Sequence, residues 1–216
     1  MRQLRQFAVV VHRFVTRHPV TAAALAVGML ATLAMCLPDR GLFIADARHE
    51  HSAAPWQFLR RHASLWDDFR GAGEPTQYYS PVVALLQSAL AALQLPAWLI
   101  GRLTLAAYLT VAGSGAAALA SRLGLRHWQV SAVGALYAFC PFSSQFLMPS
   151  GLYLPAALLP WLMTWAYDGL HGSDERRTVS WLGLGVFAAG LNNGAALGFV
   201  ALPVILFMAF TVADSR

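Results

Sequence analysis

Charge is what this sequence has least of. Asp, Glu, Lys and Arg make up 12% of its 216 residues, about half the roughly 25% usual in a soluble domain. Hydrophobic residues make up 57% and the mean hydropathy is +0.52. The shortage of charge excludes an ordinary soluble domain and predicts an integral membrane protein. Lysine is missing altogether, so all 15 basic residues are arginines. A net charge of +5 would suggest nucleic acid as the partner of a soluble chain. Here the arginines flank apolar runs, where they set orientation in a bilayer, and nucleic acid is set aside. There are 2 cysteines. Cys36 and Cys140 both lie in apolar stretches without metal-ligand neighbours, which excludes a disulfide framework and leaves them as small core residues. Ionisable residues are nearly absent from the middle of the apolar runs, which counts against a transporter of lipid-linked sugars.

The apolar runs predict an all-α polytopic protein. Residues 1–19 read as an interfacial helix with Leu4, Phe7, Val11, Phe14 and Val15 on one face and Arg2, Arg5, Arg13 and Arg17 elsewhere. Val20 to Leu37 is long enough to cross a bilayer. The string LAMC at Leu33 to Cys36 has the look of a lipoprotein cleavage site, but Met35 is too large for the position before such a cysteine. The run is therefore read as a retained first transmembrane helix. Pro81 to Leu95 falls short of the roughly 17–25 residues a crossing needs, and Gln87 and Gln94 are expected on one face of it, so it is read as a helix jutting along the outer surface. Five further spans follow within residues 97–212: Trp98–Ala120, Val130–Phe146, Leu152–Tyr167, Val179–Leu191 and Ala195–Phe210. With six crossings both termini are cytoplasmic and most arginines face the cytoplasm, as the positive-inside rule prefers. The plasma membrane is the expected location.

This topology places residues 38–80 outside as one long loop, followed by the jutting helix to residue 95. The loop holds six of the 10 acidic residues. It also carries Trp56, Trp66, Tyr78 and Tyr79, and Pro55 to Trp66 can form a short helix. Two polar groups, Asp46 to His51 and Trp66 to Tyr79, then flank that helix. Carboxylates backed by arginines and aromatic rings at a membrane surface suit a reaction on a sugar carried by a lipid phosphate. A carboxylate takes a proton from the acceptor hydroxyl, an arginine neutralises the departing phosphate, and an aromatic face holds the sugar. Solvated loop charges are the competing reading, because the four-residue spacing of Asp46 and Glu50 is a weak signal.

The string ADARHEHSAAPWQFLRRHASLWDDF resembles the first outer loop of the mycobacterial α-(1→3)-arabinofuranosyltransferases of the GT-C superfamily. The pattern is met without a gap at Ala45-Asp46, Arg48, Glu50, Pro55-Trp56, Phe58-Leu59 and Leu65-Trp66-Asp67. It continues more weakly through Pro96, Trp98 and Arg102, Leu123-Gly124-Leu125, Leu136-Tyr137-Ala138 to Pro141, and Leu158-Leu159-Pro160-Trp161. The resemblance implies that Asp46 acts as general base or acceptor-positioning group with Glu50 in support. It implies a polyprenyl-phosphate arabinofuranose donor and a cell-envelope glycan acceptor. Arg48, Arg60, Arg61 and Arg102 are the candidates for the donor phosphate, and Trp66, Asp67, Gln77, Tyr78 and Tyr79 for the sugar. Glu50 departs from the family's Asp, and residues 68–79 are shorter than the family's segment. Family members are much longer, so this chain is expected to be a fragment, a truncated paralogue or half of a split enzyme with a separate C-terminal part.

Several alternatives stay open. A divalent metal could sit among His49, His51 and His62 with Asp46 and Glu50, although no motif requires a cofactor. A non-catalytic membrane subunit or scaffold of a glycan assembly complex would also satisfy the composition. Asn192 and Asn193 read as an outer turn. Gly113, Ser114, Gly115, Gly183 and Gly190 read as small-residue faces for close helix packing.

Overall fold

A computed structural model describes residues 2–37, 54–62, 66–67, 74–75, 81–140, 153–172, 175–190 and 194–214. Its first two helices, α1 (Arg2–Arg17) and α2 (Pro19–Cys36), are separated by His18 at φ −132° and ψ 60°. The following proline makes the helical conformation of His18 costly, and Pro19 itself is suited to a first helical turn. Thr16 donates back to the carbonyls of His12 and Arg13, both at 3.0 Å. On α1, Val10, Val11 and Phe14 are exposed, which leaves an apolar side for a membrane interface.

The residues of α2 that are buried recur every fourth position: Ala23, Val27, Ala31 and Met35. This narrow ridge lies against α5 (Ala97–Arg122), the longest helix among the described residues. Leu25, Met29, Leu30 and Leu33 point outwards. In water they would form an unpartnered apolar patch, whereas in lipid they are at home. Among the described residues α2 and α5 are the two helices long and apolar enough to cross a membrane.

Helix α5 packs on α2, on α6 (His127–Ala138) and on α7 (Tyr153–Leu170). It can be surrounded because its second half is stripped to Ala112, Gly113, Ser114, Gly115, Ala116, Ala117, Ala118 and Ala120, all buried. A Cβ on Gly113 would stand 2.9 Å from the Gly134 carbonyl oxygen, and one on Gly134 would stand 2.8 Å from that of Gly113. Neither backbone can give way. The Trp161 indole lies on Gly115, where a Cβ would meet its ring at 2.6 Å, and its Nε1 donates to the Val111 carbonyl at 2.9 Å. The small-residue reading of Gly113 to Gly115 therefore holds. At Gly183 it does not: among the described residues nothing lies within 4 Å of a Cβ there, and the tight position on α8 (Glu175–Gly190) is Gly185, against Leu162 and Trp165.

The string Leu123-Gly124-Leu125 closes α5. Gly124 takes φ +78°, and the amides of Gly124 and Leu125 reach back to the carbonyls of Ser121 and Ala120 at 3.2 and 3.1 Å. Such a left-handed closure is made for glycine. Just inside it, Arg122 grips Asp168 of α7 with both edges of its fork, Nε to Oδ1 at 2.5 Å and Nη2 to Oδ2 at 3.1 Å. The second half of the bundle, α7, α8 and α9 (Gly194–Asp214), has its own core of Leu162, Ala166, Ala189, Val200 and Val204. Tyr137 bridges α6 to α7 by donating to the Ala156 carbonyl at 2.9 Å.

Three expectations change. The helix expected over Val130–Phe146 is α6, which ends at Ala138. Phe139 leaves helical geometry at φ −109°, ψ 20°, since Pro141 removes a donor and restricts the residue before it. The rest of the expected span lies outside the described residues. The helix expected over Pro81–Leu95 is α4 (Pro81–Ala92), about 18 Å long at 1.5 Å per residue and too short for a core of about 30 Å. Gln94 does not share its surface with Gln87: Gln94 sits past the helix at φ +58°, and Gln87 is buried.

The Gly113–Gly134 contact generates a stability prediction. Gly134→Leu should lower the unfolding free energy of the detergent-purified protein by about 1–3 kcal/mol or more, because side-chain volume must push two backbones apart. Gly183→Leu should change it by no more than about 0.5 kcal/mol. Thermal denaturation of both variants checks the contrast.

Candidate functional site

The chain leaves α2 at Leu37, towards the segment that carries Asp46 and Glu50. At that exit Arg102, near the start of α5, is 3% exposed. Its Nη1 donates to the Met35 carbonyl at 2.8 Å, and its guanidinium lies 5.4 Å from the centre of the Trp98 ring. The Met35 carbonyl belongs to the last turn of α2, whose carbonyls lack helical partners and carry the negative end of the helix dipole. A buried cation in apolar surroundings is costly unless it is so engaged. From sequence, an acidic group or a lipid phosphate is the expected partner of Arg102. The structure adds a tie between α2 and α5 that the sequence did not signal.

Over this end of the bundle lies a small layer. Helix α3 (Pro55–His62) begins at Pro55, as expected, and leaves Trp56 exposed. It packs on α4 and on a two-residue antiparallel ladder, β1 (Trp66–Asp67) with β2 (Glu74–Pro75). The register pairs Trp66 with Pro75 and Asp67 with Glu74. An all-α reading misses this ladder, and two residues per strand leave no alternation to detect. Helix α4 in turn packs on α5.

The candidate residues divide accordingly. Asp46, Arg48, Glu50, His49, His51, Gln77, Tyr78 and Tyr79 lie outside the described residues. Arg60 and Arg61 fall on consecutive positions of α3, with Arg60 exposed. The backbone of Trp66 and Asp67 is in β1. Arg102 stands at the head of α5 beneath the layer. Among the described residues there is no group of three His, Cys, Asp or Glu side chains able to hold a metal ion; the metal expected among His49, His51, His62, Asp46 and Glu50 falls almost entirely on residues that are not described.

Two residues enter that sequence reasoning missed. Ala84, Gln87 and Ser88 form the buried side of α4 at a spacing of three and four, with Gln87 4% and Ser88 2% exposed. The Gln87 Oε1 and Ser88 Oγ have no hydrogen-bond partner among the described residues. Buried polar atoms are ordinarily paired, which sets these two positions apart from the rest of α4. The signal was present in the sequence, since Ala84, Gln87 and Ser88 share a helix face. Pairing Gln87 with Gln94 instead obscured it.

The double role of Arg102 generates a prediction. Arg102→Met keeps the aliphatic stem but leaves the Met35 carbonyl without its donor, and should destabilise the protein by about 1–3 kcal/mol. Arg60→Met, on the exposed side of α3, should leave the unfolding temperature nearly unchanged. Differential scanning fluorimetry of the two variants in detergent compares them directly.

Comparison with curated proteins and with solved structures found no match. A family model, described as alpha-(1->3)-arabinofuranosyltransferase, N-terminal GT-C domain, matches residues 30–216. The match runs from within α2 through the layer and bundle, so that among the described helices α1 falls wholly outside it. The chain belongs to the alpha-(1->3)-arabinofuranosyltransferase family, within its N-terminal GT-C domain.

Proposed function

We propose that this chain is the membrane-embedded catalytic part of a glycosyltransferase that moves arabinofuranose from a polyprenyl-phosphate donor to a cell-envelope glycan. The observation that carries this reading is the family match across residues 30–216, a range that spans Asp46. Asp46 takes the proton from an acceptor hydroxyl as its oxygen bonds to the anomeric carbon. The bond from that carbon to the lipid phosphate breaks, and its electron pair leaves on the phosphate oxygen. Glu50 supports Asp46, while Arg48, Arg60, Arg61 and Arg102 are the candidates to neutralise the phosphate. Trp66, Asp67, Gln77, Tyr78 and Tyr79 hold the sugar.

The orientation that serves this chemistry has six crossings, both termini in the cytoplasm, and residues 38–95 on the outer face of the plasma membrane. Arginine distribution supports it, and so does the shortness of α4. Single cysteines introduced as Ser80→Cys and Leu93→Cys, with Cys36 and Cys140 replaced by Ala, test it in intact cells. Both should react with an impermeant maleimide; labelling at Ser80 alone would mean that α4 crosses the membrane after all.

The catalytic assignment has its own test. Asp46→Asn, in the chain together with whatever C-terminal part completes it, should lower transfer from a polyprenyl phosphosugar by about a hundred- to ten-thousand-fold. Donor binding should survive, and Asp67→Asn should cost less. Near-normal transfer by the Asp46→Asn protein would leave a non-catalytic membrane subunit as the better reading.

A further inference from the structure

A cavity of about 440 Å³ lies between α2, α5, α7 and α8 at the far end of α5 from Arg102. Arg102 and Arg122 are about 30 Å apart along α5 at 1.5 Å per residue, close to the thickness of a bilayer's hydrocarbon core. The cavity lies beside Arg122, and Val20, one residue into α2, is on its wall. The two helices suited to crossing a membrane thus both reach this level with one end, at headgroup depth.

The walls combine charge and aromatic surface. Arg122, Asp168 and Arg177 supply the charge, and Trp161, Trp165 and Trp181 the rings. Asp168 is held by the two-pronged grip of Arg122, and with two arginines against one carboxylate the lining is net positive. That grip also orients Arg122. Two of the five guanidinium N–H groups are directed at Asp168, and the side chain is 52% exposed, so its remaining donors are held in one direction. Trp165 stacks on Trp181 at 5.8 Å and 25°, and Trp161 leans on Trp165 at 5.8 Å. Indoles gather where apolar bodies meet polar headgroups.

We propose that this cavity binds the phosphate headgroup of an anionic membrane lipid, at the opposite membrane face from the layer around α3 and α4. At about 30 Å³ per water-sized group, 440 Å³ accommodates on the order of fifteen such groups. That suits a phosphodiester with a short polyol and leaves the acyl chains outside. The two arginines recognise the phosphate, one oriented by Asp168, and the tryptophan row shields the glycerol backbone. Thr164, buried beside them, already donates to the Pro160 carbonyl at 2.8 Å and shapes the wall without contacting the ligand.

Native mass spectrometry of the detergent-purified chain tests the site with three probes: dioleoyl phosphatidylglycerol, dioleoyl phosphatidylcholine and inorganic phosphate. The anionic lipid should be retained about tenfold more than the zwitterionic one. Arg177→Gln should lose about tenfold of that retention, in line with the strength of hydrogen bonds to charged groups. The paired change Arg122→Gln with Asp168→Asn should do the same while leaving no unpaired carboxylate. Arg126→Gln, at the same end of the bundle but off the cavity wall, should retain the lipid normally. Equal retention of both lipids, or equal losses from Arg126→Gln and Arg177→Gln, would show attraction by the whole basic face and overturn the site. Displacement of the lipid by millimolar inorganic phosphate would make the ligand a soluble anion and overturn the lipid assignment. Arg177 is exposed, so its variant keeps the test decisive if the paired change prevents folding.

Discussion

The bundle depends on two backbones being allowed to touch. Gly113 and Gly134 face each other at distances where neither tolerates a Cβ, and this contact sets how near α6 comes to α5. Gly115 does the same for α7 by leaving room for the Trp161 ring. In lipid, where burying apolar surface brings little gain, such close packing is the main attraction between helices. A central helix lined with alanine and glycine can therefore hold three neighbours at once, and α2 needs only one narrow ridge.

Close packing of small residues leaves few places for polar groups, and those present gather at the two ends of α5. Arg102 is tied to the last turn of α2 and covered by Trp98. Arg122 is tied to Asp168 of α7. In between, buried and half-buried hydroxyls are quieted locally, as Thr104 donates to Ile100 and Thr110 to Ala106. An arginine at either end of a helix as long as the hydrocarbon core is thick marks where that core begins and stops. At one end the polar chemistry meets the layer carrying the family's loop pattern; at the other it lines a cavity with tryptophan.

The weaker strings of the family resemblance have structural explanations. Leu123-Gly124-Leu125 is the left-handed closure of α5, Tyr137 is the hydrogen-bonded bridge from α6 to α7, and Trp161 is the ring lying on Gly115. These residues carry the fold, whereas the chemistry proposed above rests on the stronger string around Asp46. Helix positions were legible because apolar length and arginine flanks are properties of short windows of sequence. The early end of α6 was legible too in principle, since Pro141 announces it, but an apolar run continuing past a proline overrode that signal.

By itself the sequence determined the helical character, the apolar runs, the arginine flanks and the family resemblance, because each depends on residues adjacent or at helical spacing. Tertiary structure alone decided which side of α4 turns inward, which glycine of α8 is crowded, and whose carbonyl Arg102 would meet. Those outcomes depend on partners far along the chain: Arg102 and Met35 are 67 residues apart and Arg122 and Asp168 are 46 apart. No local window carries that information, since a glycine is crowded, or an arginine satisfied, only by the neighbour that packing brings to it.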